Sequence, residues 1–216
     1  MNQLIEKSKV SEVYTKLAPG YDLWAKLTES HARERCLGIA SIRNGESVLE
    51  VAVGTGLAFA QILKANPDGR NEGIDLTGEM VRRAEQKAQQ TGARNYRLSV
   101  GDAYDLPFSD ATFDVLVNNY MFDLLPERDF EHVLEGFFRV LKPGGRLAMV
   151  NMTRSERWYH AVWGTIHRLN PEWLGGCRGV YLLPHLEQAG FERLSREFVG
   201  QMTFPSEVVS GFRPAG

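Results

Sequence analysis

The chain reads as an α/β protein with a doubly wound, mainly parallel sheet and helices on both faces. Three observations carry that reading. Short apolar strands alternate with helical stretches, the pattern that builds crossover connections. Between Val48 and Phe108, three successive strand ends carry Gly54-Thr55-Gly56, Asp75 and Gly101-Asp102, at the spacing of one nucleotide-binding unit. The 216 residues, 43% hydrophobic and 24% charged, suit one soluble globular domain with a sizeable core.

An N-terminal helical section runs to about Ile42. The apolar run from Val48 predicts a first strand near 47 to 52, and Leu57-Ala58-Phe59-Ala60 opens a helix over 57–65. A second strand, 71 to 75, ends in Asp75. The helix from Gly78 to Gln90 sets Met80, Val81, Ala84 and Ala88 on one face and stops before Gly92. Strands near 96–100 and 113–118 follow. Glu127 to Leu141 is helical, with Phe130, Val133, Leu134, Phe137, Phe138 and Leu141 on one buried face. Lys142-Pro-Gly-Gly145 ends it, and Arg146 to Met152 forms the fifth strand. A helix over Leu182–Gln188, a strand from Phe191 to Val199 and a last strand around Met202 to Val209 close the pattern. The single domain divides into an N-terminal helical section (1–43), a core (44–152), an insert (153–181) and a C-terminal helix with a strand pair (182–216).

The strand ends suggest the ligand. Gly54 and Gly56 let the backbone turn tightly and let a ligand approach it closely. Asp75, nineteen residues beyond Gly56, is placed to accept both hydroxyls of a ribose. Asp102, past the third strand, can accept an exocyclic amino proton such as adenine offers. A dinucleotide site wants a third small residue where this chain has Phe59, which favours an adenosine cofactor without a diphosphate over nicotinamide dinucleotide.

These residues resemble a known family. Glu50-Val-Ala-Val-Gly-Thr-Gly56, Asp75-Leu-Thr-Gly-Glu-Met80, Gly101-Asp-Ala-Tyr-Asp-Leu-Pro-Phe108, Phe113-Asp-Val and Arg139-Val-Leu-Lys-Pro-Gly-Gly-Arg-Leu147 are similar to class I S-adenosylmethionine-dependent methyltransferases. Within them, Tyr14-Thr-Lys-Leu-Ala-Pro-Gly-Tyr-Asp22 adds a likeness to the ubiquinone and menaquinone C-methyltransferase branch. The resemblance covers roughly residues 10 to 152. It implies a Rossmann-like seven-stranded sheet whose last two strands form an antiparallel hairpin, and S-adenosylmethionine as the cofactor. It further implies that Glu50, Ala52, Gly54, Thr55 and Gly56 frame the methionine part and that Asp75 takes the ribose. Leu76 and Met80 would then pack on the adenine, Asp102 and the Ala103 amide would read its edge, and Asn118 or Asn119 would meet the amino group.

Composition narrows the partners. A net charge of -2 provides no general attraction to nucleic acid. Cys36 and Cys177 lack the spacing of a disulfide framework or a metal site, so no metal is expected. The start of the chain has no signal-like apolar stretch, and no run approaches the roughly 20 residues that cross a bilayer. A cytoplasmic enzyme with peripheral membrane contact left open is the expectation, and its oligomeric state is not legible.

Methyl transfer from a sulfonium is an in-line displacement that gains mainly from alignment in a water-poor cavity, so a general base is optional. His31, Asp123 at the mouth of the fourth strand, His160 and His167 are the candidate bases. Tyr21, inside the aromatic segment Tyr14–Trp24, is expected near the transferring methyl beneath an N-terminal lid. At the fourth-strand exit the quinone methyltransferases carry an Arg-Asn pair, where this chain has Met121-Phe122-Asp123-Leu124. That departure favours an amine acceptor as the alternative, since a carboxylate can hold positive charge. The insert from Arg154 to Tyr181 sets Trp158 and Trp163 along an apolar stripe flanked by arginines, with His160 and His167 seven apart on one helix face. Such a face suits an apolar, lipid-like or aromatic acceptor with a polar head, or an anionic membrane surface that supplies it. A non-catalytic binding module of the same fold also fits, because no obligatory nucleophile marks the site.

Overall fold

The computed structural model describes residues 27–153, 178–202 and 204–216. Its elements are α1 (Ser30–Ala40), β1 (Ser47–Val51), α2 (Leu57–Ala65), β2 (Arg70–Asp75), α3 (Gly78–Gln89), β3 (Tyr96–Val100) and β4 (Phe113–Asn119). After two short 3-10 turns come α4 (Phe130–Val140), β5 (Leu141–Met152), α5 (Leu183–Gln188), β6 (Glu192–Gln201) and β7 (Phe204–Phe212). The strands form one seven-stranded sheet in the order β3-β2-β1-β4-β5-β7-β6. The first five are parallel, and β7 runs antiparallel to both β5 and β6. This is the doubly wound sheet expected from the sequence, with the terminal antiparallel hairpin that the family resemblance implies.

The period of two along the strands explains the layers. On one face, Leu49, Val51, Leu116, Leu147 and Met149 meet Phe130, Val133, Leu134 and Phe137 of α4. On the other, Val48, Val115, Val117, Ala148 and Val150 meet Ala32, Cys36 and Ala40 of α1 with Phe59, Ile62 and Leu63 of α2 and Ala84 and Ala88 of α3. Central strands covered on both faces read as continuous apolar runs. Cys36 is fully buried, and burial pushes its thiol pKa up.

Thr77 caps α3 by accepting the Met80 amide at 3.2 Å. Met80, Ala84 and Ala88 are its buried face.

Three boundaries differ from the sequence expectation. The helix expected from Glu127 begins at Phe130, because Glu127–Asp129 winds as a 3-10 turn. The fifth strand begins at Leu141 and contains Pro143-Gly144-Gly145 as a bulge. Its register jumps between Phe113↔Leu141 and Val115↔Arg146, and the Gly144 amide donates across the bulge to the Arg213 carbonyl at 2.9 Å. The last strand spans 204–212, since Met202, with φ 46°, turns the hairpin. No helix among the described residues is long and apolar enough to cross a membrane.

Candidate cofactor site

The sheet order sets β1 beside β4 while their onward connections run to opposite sides, so their carboxyl ends open a crevice. Strand parity decides which side chains face it. Val51 pairs with Asn118, and the Asn118 amide group, fully buried, donates to the Val51 carbonyl at 2.9 Å and lies 3.6 Å from Met121 Sδ. Asn119, one residue on, turns to the other face and donates to Glu50 Oε1 at 3.1 Å.

Glu50 is the electrostatic centre of the site. It is 1% exposed, and its Oε2 has no hydrogen-bond partner among the described residues. Burial raises its pKa to about 8, opposed by the Asn119 hydrogen bond and the Arg33 charge and assisted by Asp75. Arg33 reaches the same pocket from α1, and its buried Nε likewise has no partner among the described residues. The pocket opens to solvent. Glu29, Arg33, Glu50, Ala52, Val53, Gly54, Thr55, Leu57, Ala58, Asn119 and Tyr120 line it.

The two glycines of the first turn serve different needs. Gly56, at φ 84°, brings the turn so close to α3 that a Cβ would stand 2.7 Å from Ala84 Cα. Gly54, at φ 54°, has nothing within 4 Å of where a Cβ would project, so its face is open to a ligand. Ala52, also on the wall, holds φ 61° without being glycine, a backbone conformation that costs a residue with a Cβ free energy.

Asp75 fastens this turn to the next strand end. Its Oδ2 accepts the Gly54 amide at 2.9 Å and its Oδ1 the Thr77 amide at 3.0 Å. Burial raises its pKa, partly offset by those bonds. Beyond it, exposed Leu76 and Val100 stand apolar at the ends of β2 and β3, whereas Met80 is buried. Asp102 accepts the Tyr104 amide at 3.1 Å in a local turn, with half-buried Ala103 between them.

Of the residues expected at a cofactor, Glu50, Ala52, Gly54, Thr55 and Asn119 share one pocket. Gly56 lies behind it against α3. Asp75, Leu76, Met80, Asp102 and Ala103 follow along the neighbouring strand ends, and Asn118 is turned away into the sheet. Asp123 is buried in the Phe122–Leu124 turn, its Oδ2 accepting the Met152 amide at 3.4 Å, and is not on the pocket lining. Tyr21, Trp158, His160, Trp163 and His167 lie outside the described residues. His31, near Arg33 in sequence, is exposed.

Sequence reasoning missed Glu29, Arg33 and Tyr120. A signal for Arg33 existed: with Cys36 and Ala40 it occupies positions i, i+3 and i+7 of an otherwise apolar helix stripe, which turns it toward the sheet. The donor set fits a zwitterionic amino-acid end. A buried carboxylate oxygen without a partner suits an ammonium, and a buried guanidinium suits a carboxylate. Among the described residues no cluster of His, Cys, Asp and Glu is arranged to hold a metal.

Residues 48–145 match a family model described as a methyltransferase domain. An arsenite methyltransferase of Halobacterium salinarum is 31% identical over 159 residues, 71% of this chain and 39% of that protein. A demethylmenaquinone methyltransferase of Listeria welshimeri is 29% identical over 154 residues, 69% of this chain and 64% of that protein. The chain thus spans less than two thirds of the length of these relatives. A solved S-adenosylmethionine-dependent methyltransferase from Aquifex aeolicus shares the fold at TM-score 0.64 and 22% identity, covering 96% of this chain and 98% of that one. A methyltransferase from Haloferax volcanii, solved with an activator protein, does so at TM-score 0.75 and 20% identity, covering 95% and 97%.

Proposed function

We infer that this chain, which belongs to the class I S-adenosylmethionine-dependent methyltransferases, transfers the methyl group of that cofactor to an apolar small-molecule or lipid-like acceptor. The observation that carries the cofactor reading is Glu50, a carboxylate buried at the switch point with one oxygen unmatched among the described residues, facing a wall that Gly54 leaves open.

Bound S-adenosylmethionine supplies an electrophilic methyl on a sulfonium sulfur. Glu50 and Asn119 would hold its ammonium and Arg33 its carboxylate. Asp75 keeps lone pairs for the ribose hydroxyls, since a carboxylate accepts more bonds than the turn uses. Leu76 and Val100 would flank the adenine, with Met80 beneath and Asp102 at its edge. The protein's remaining task is alignment and exclusion of water, worth several kcal/mol in reactions of this kind (about 7–11 at best).

The acceptor reading rests on the Trp158 and Trp163 stripe and on the likeness to the quinone methyltransferase branch. Arsenite, the acceptor named for one relative, is less well supported. Trivalent arsenic prefers several thiolates, and of the two cysteines Cys36 is fully buried with its thiol pKa raised. The amine alternative leaned on Asp123, whose burial away from the pocket lining weakens that support. A transfer screen with methyl-labelled cofactor against demethylated quinones, aminophospholipids, small phenols and arsenite tests the reading. Label in a quinone or phenol supports it. Label only in an amine or in arsenic overturns the acceptor, and absence of cofactor binding in calorimetry overturns the enzyme.

A further inference from the structure

The helix that carries Arg33 has an unusual start. Its N-cap residue, Glu29, makes no side-chain bond to the first turn and instead lines the cofactor pocket, buried. The cap comes from the far end of the chain. Gln201, the last residue of β6, accepts the His31 amide on Oε1 at 2.8 Å. The same side chain brackets Ser30, its Oε1 accepting from Ser30 Oγ at 3.3 Å and its Nε2 donating to Ser30 Oγ at 3.0 Å. An uncapped first turn frays, because its amides have no partner within the helix.

The opposite strand of the hairpin holds a second wall. Tyr120, on the pocket lining and at φ 49°, shares a hydrogen bond of 2.8 Å between its hydroxyl and Ser206 Oγ of β7. Its ring also packs on Phe204, centroids 6.1 Å apart. Two pocket walls distant in sequence therefore rest on one hairpin turn.

We propose that the β6–β7 hairpin end is a positioning element for cofactor binding, in which Gln201 fixes the first turn of α1 and so sets Glu29 and Arg33, while Ser206 holds Tyr120. This rests on the cofactor reading above. It goes beyond that reading by assigning Gln201 and Ser206, which touch no cofactor, a share in its affinity.

The test combines titration calorimetry with S-adenosylmethionine, amide hydrogen exchange of the unliganded protein, and thermal unfolding, on the full chain. Gln201→Ala should speed exchange at residues 30–34 and weaken binding by about five- to tenfold, the scale of a lost cap, with a melting temperature near wild type. Gln201→Glu keeps the acceptor oxygen and should restore both exchange protection and affinity. Ser206→Ala should weaken binding by a smaller factor without changing exchange in α1. Met202→Ala, at an exposed hairpin position, should change neither. Wild-type binding with Gln201→Ala within twofold of it overturns the positioning role alone. Equal weakening by Gln201→Ala and Gln201→Glu, or a loss that tracks a global fall in melting temperature, also overturns it. A wild-type chain that does not bind the cofactor overturns the enzyme reading and this inference with it.

Discussion

Replacing Glu50 by Gln should stabilise the unliganded protein and weaken it as a cofactor binder, and the size of the first effect should grow with pH. Glu50 is 1% exposed, and burial lifts its pKa from the ordinary 4.5 to about 8. An acid with a raised pKa binds more protons folded than unfolded between those two values, so the stability present at low pH is lost as pH rises through the window. At about 1.4 kcal/mol per pH unit, the cost set by Glu50 is of order 3 kcal/mol at pH 7 and of order 5 kcal/mol above pH 8. Glutamine matches the protonated acid in shape and can still accept from Asn119, but it never charges. Wild type and variant should therefore unfold alike below about pH 4.5 and diverge above it. Asp75, raised for the same reason, slopes both curves, and because its charge helps to raise Glu50 the difference also contains the interaction of the two carboxyls. Urea unfolding of both proteins at several pH values from 5 to 9 reads this directly. The cofactor should reverse the sign: its ammonium favours the ionised acid, so binding at pH 7 should release close to one proton, visible as a buffer-dependent calorimetric enthalpy. A stability difference that stays constant with pH, or a variant less stable than wild type at pH 9, would refute the argument that Glu50 is held neutral by burial.

Four further outcomes follow from the site. Asp75→Ala should weaken S-adenosylmethionine binding by roughly 1.5–3 kcal/mol by calorimetry, since the ribose loses a charged acceptor and the Gly54 amide its partner. Gly54→Val should bind more weakly still. Ala52→Gly should raise stability to urea by about 1 kcal/mol by relieving the positive φ; a fall in stability would mean the Ala52 methyl packs better than its backbone suffers. Trp163→Ala should raise KM for the acceptor identified in the screen and leave cofactor affinity unchanged. An effect on thermal stability alone would assign that stripe to the core.

Much of this was legible because the relevant rules are local. The strand and helix periods located the strands and most of the helices, though not the two 3-10 turns, and Phe59 at the third small position turned the cofactor reading away from a dinucleotide. What was not legible depends on contacts made across the fold. Glu29 enters the site only because α1 packs on the central strands, a docking that no local pattern encodes, whereas the stripe that Arg33 shares with Cys36 and Ala40 already turned it toward the sheet. The Pro143-Gly144-Gly145 run looked like a terminator, and it becomes a bulge because Arg213 carries a carbonyl to the Gly144 amide from the chain's other end. The choice between Asn118 and Asn119 was open but decidable. Glu50 faces the crevice and pairs with Val117 in the neighbouring strand, so the period of two sends Asn119 to the crevice and Asn118 away from it.

The position of β7 between β5 and β6 has a consequence for how the protein is made. A ribosome delivers β6 before β7, yet among the described residues β6 has no other strand to lie against, and β7, buried over Phe204–Gly211, is what joins it to the sheet. Until the residues past Phe204 have emerged, the nascent chain exposes the Met149 and Val150 edge of β5 and a loose β6, both able to pair with a stranger. Five of the seven strands can settle during synthesis, whereas β6 must wait for β7. Shortening the chain into β7 would therefore harm solubility before it touched any residue of the pocket.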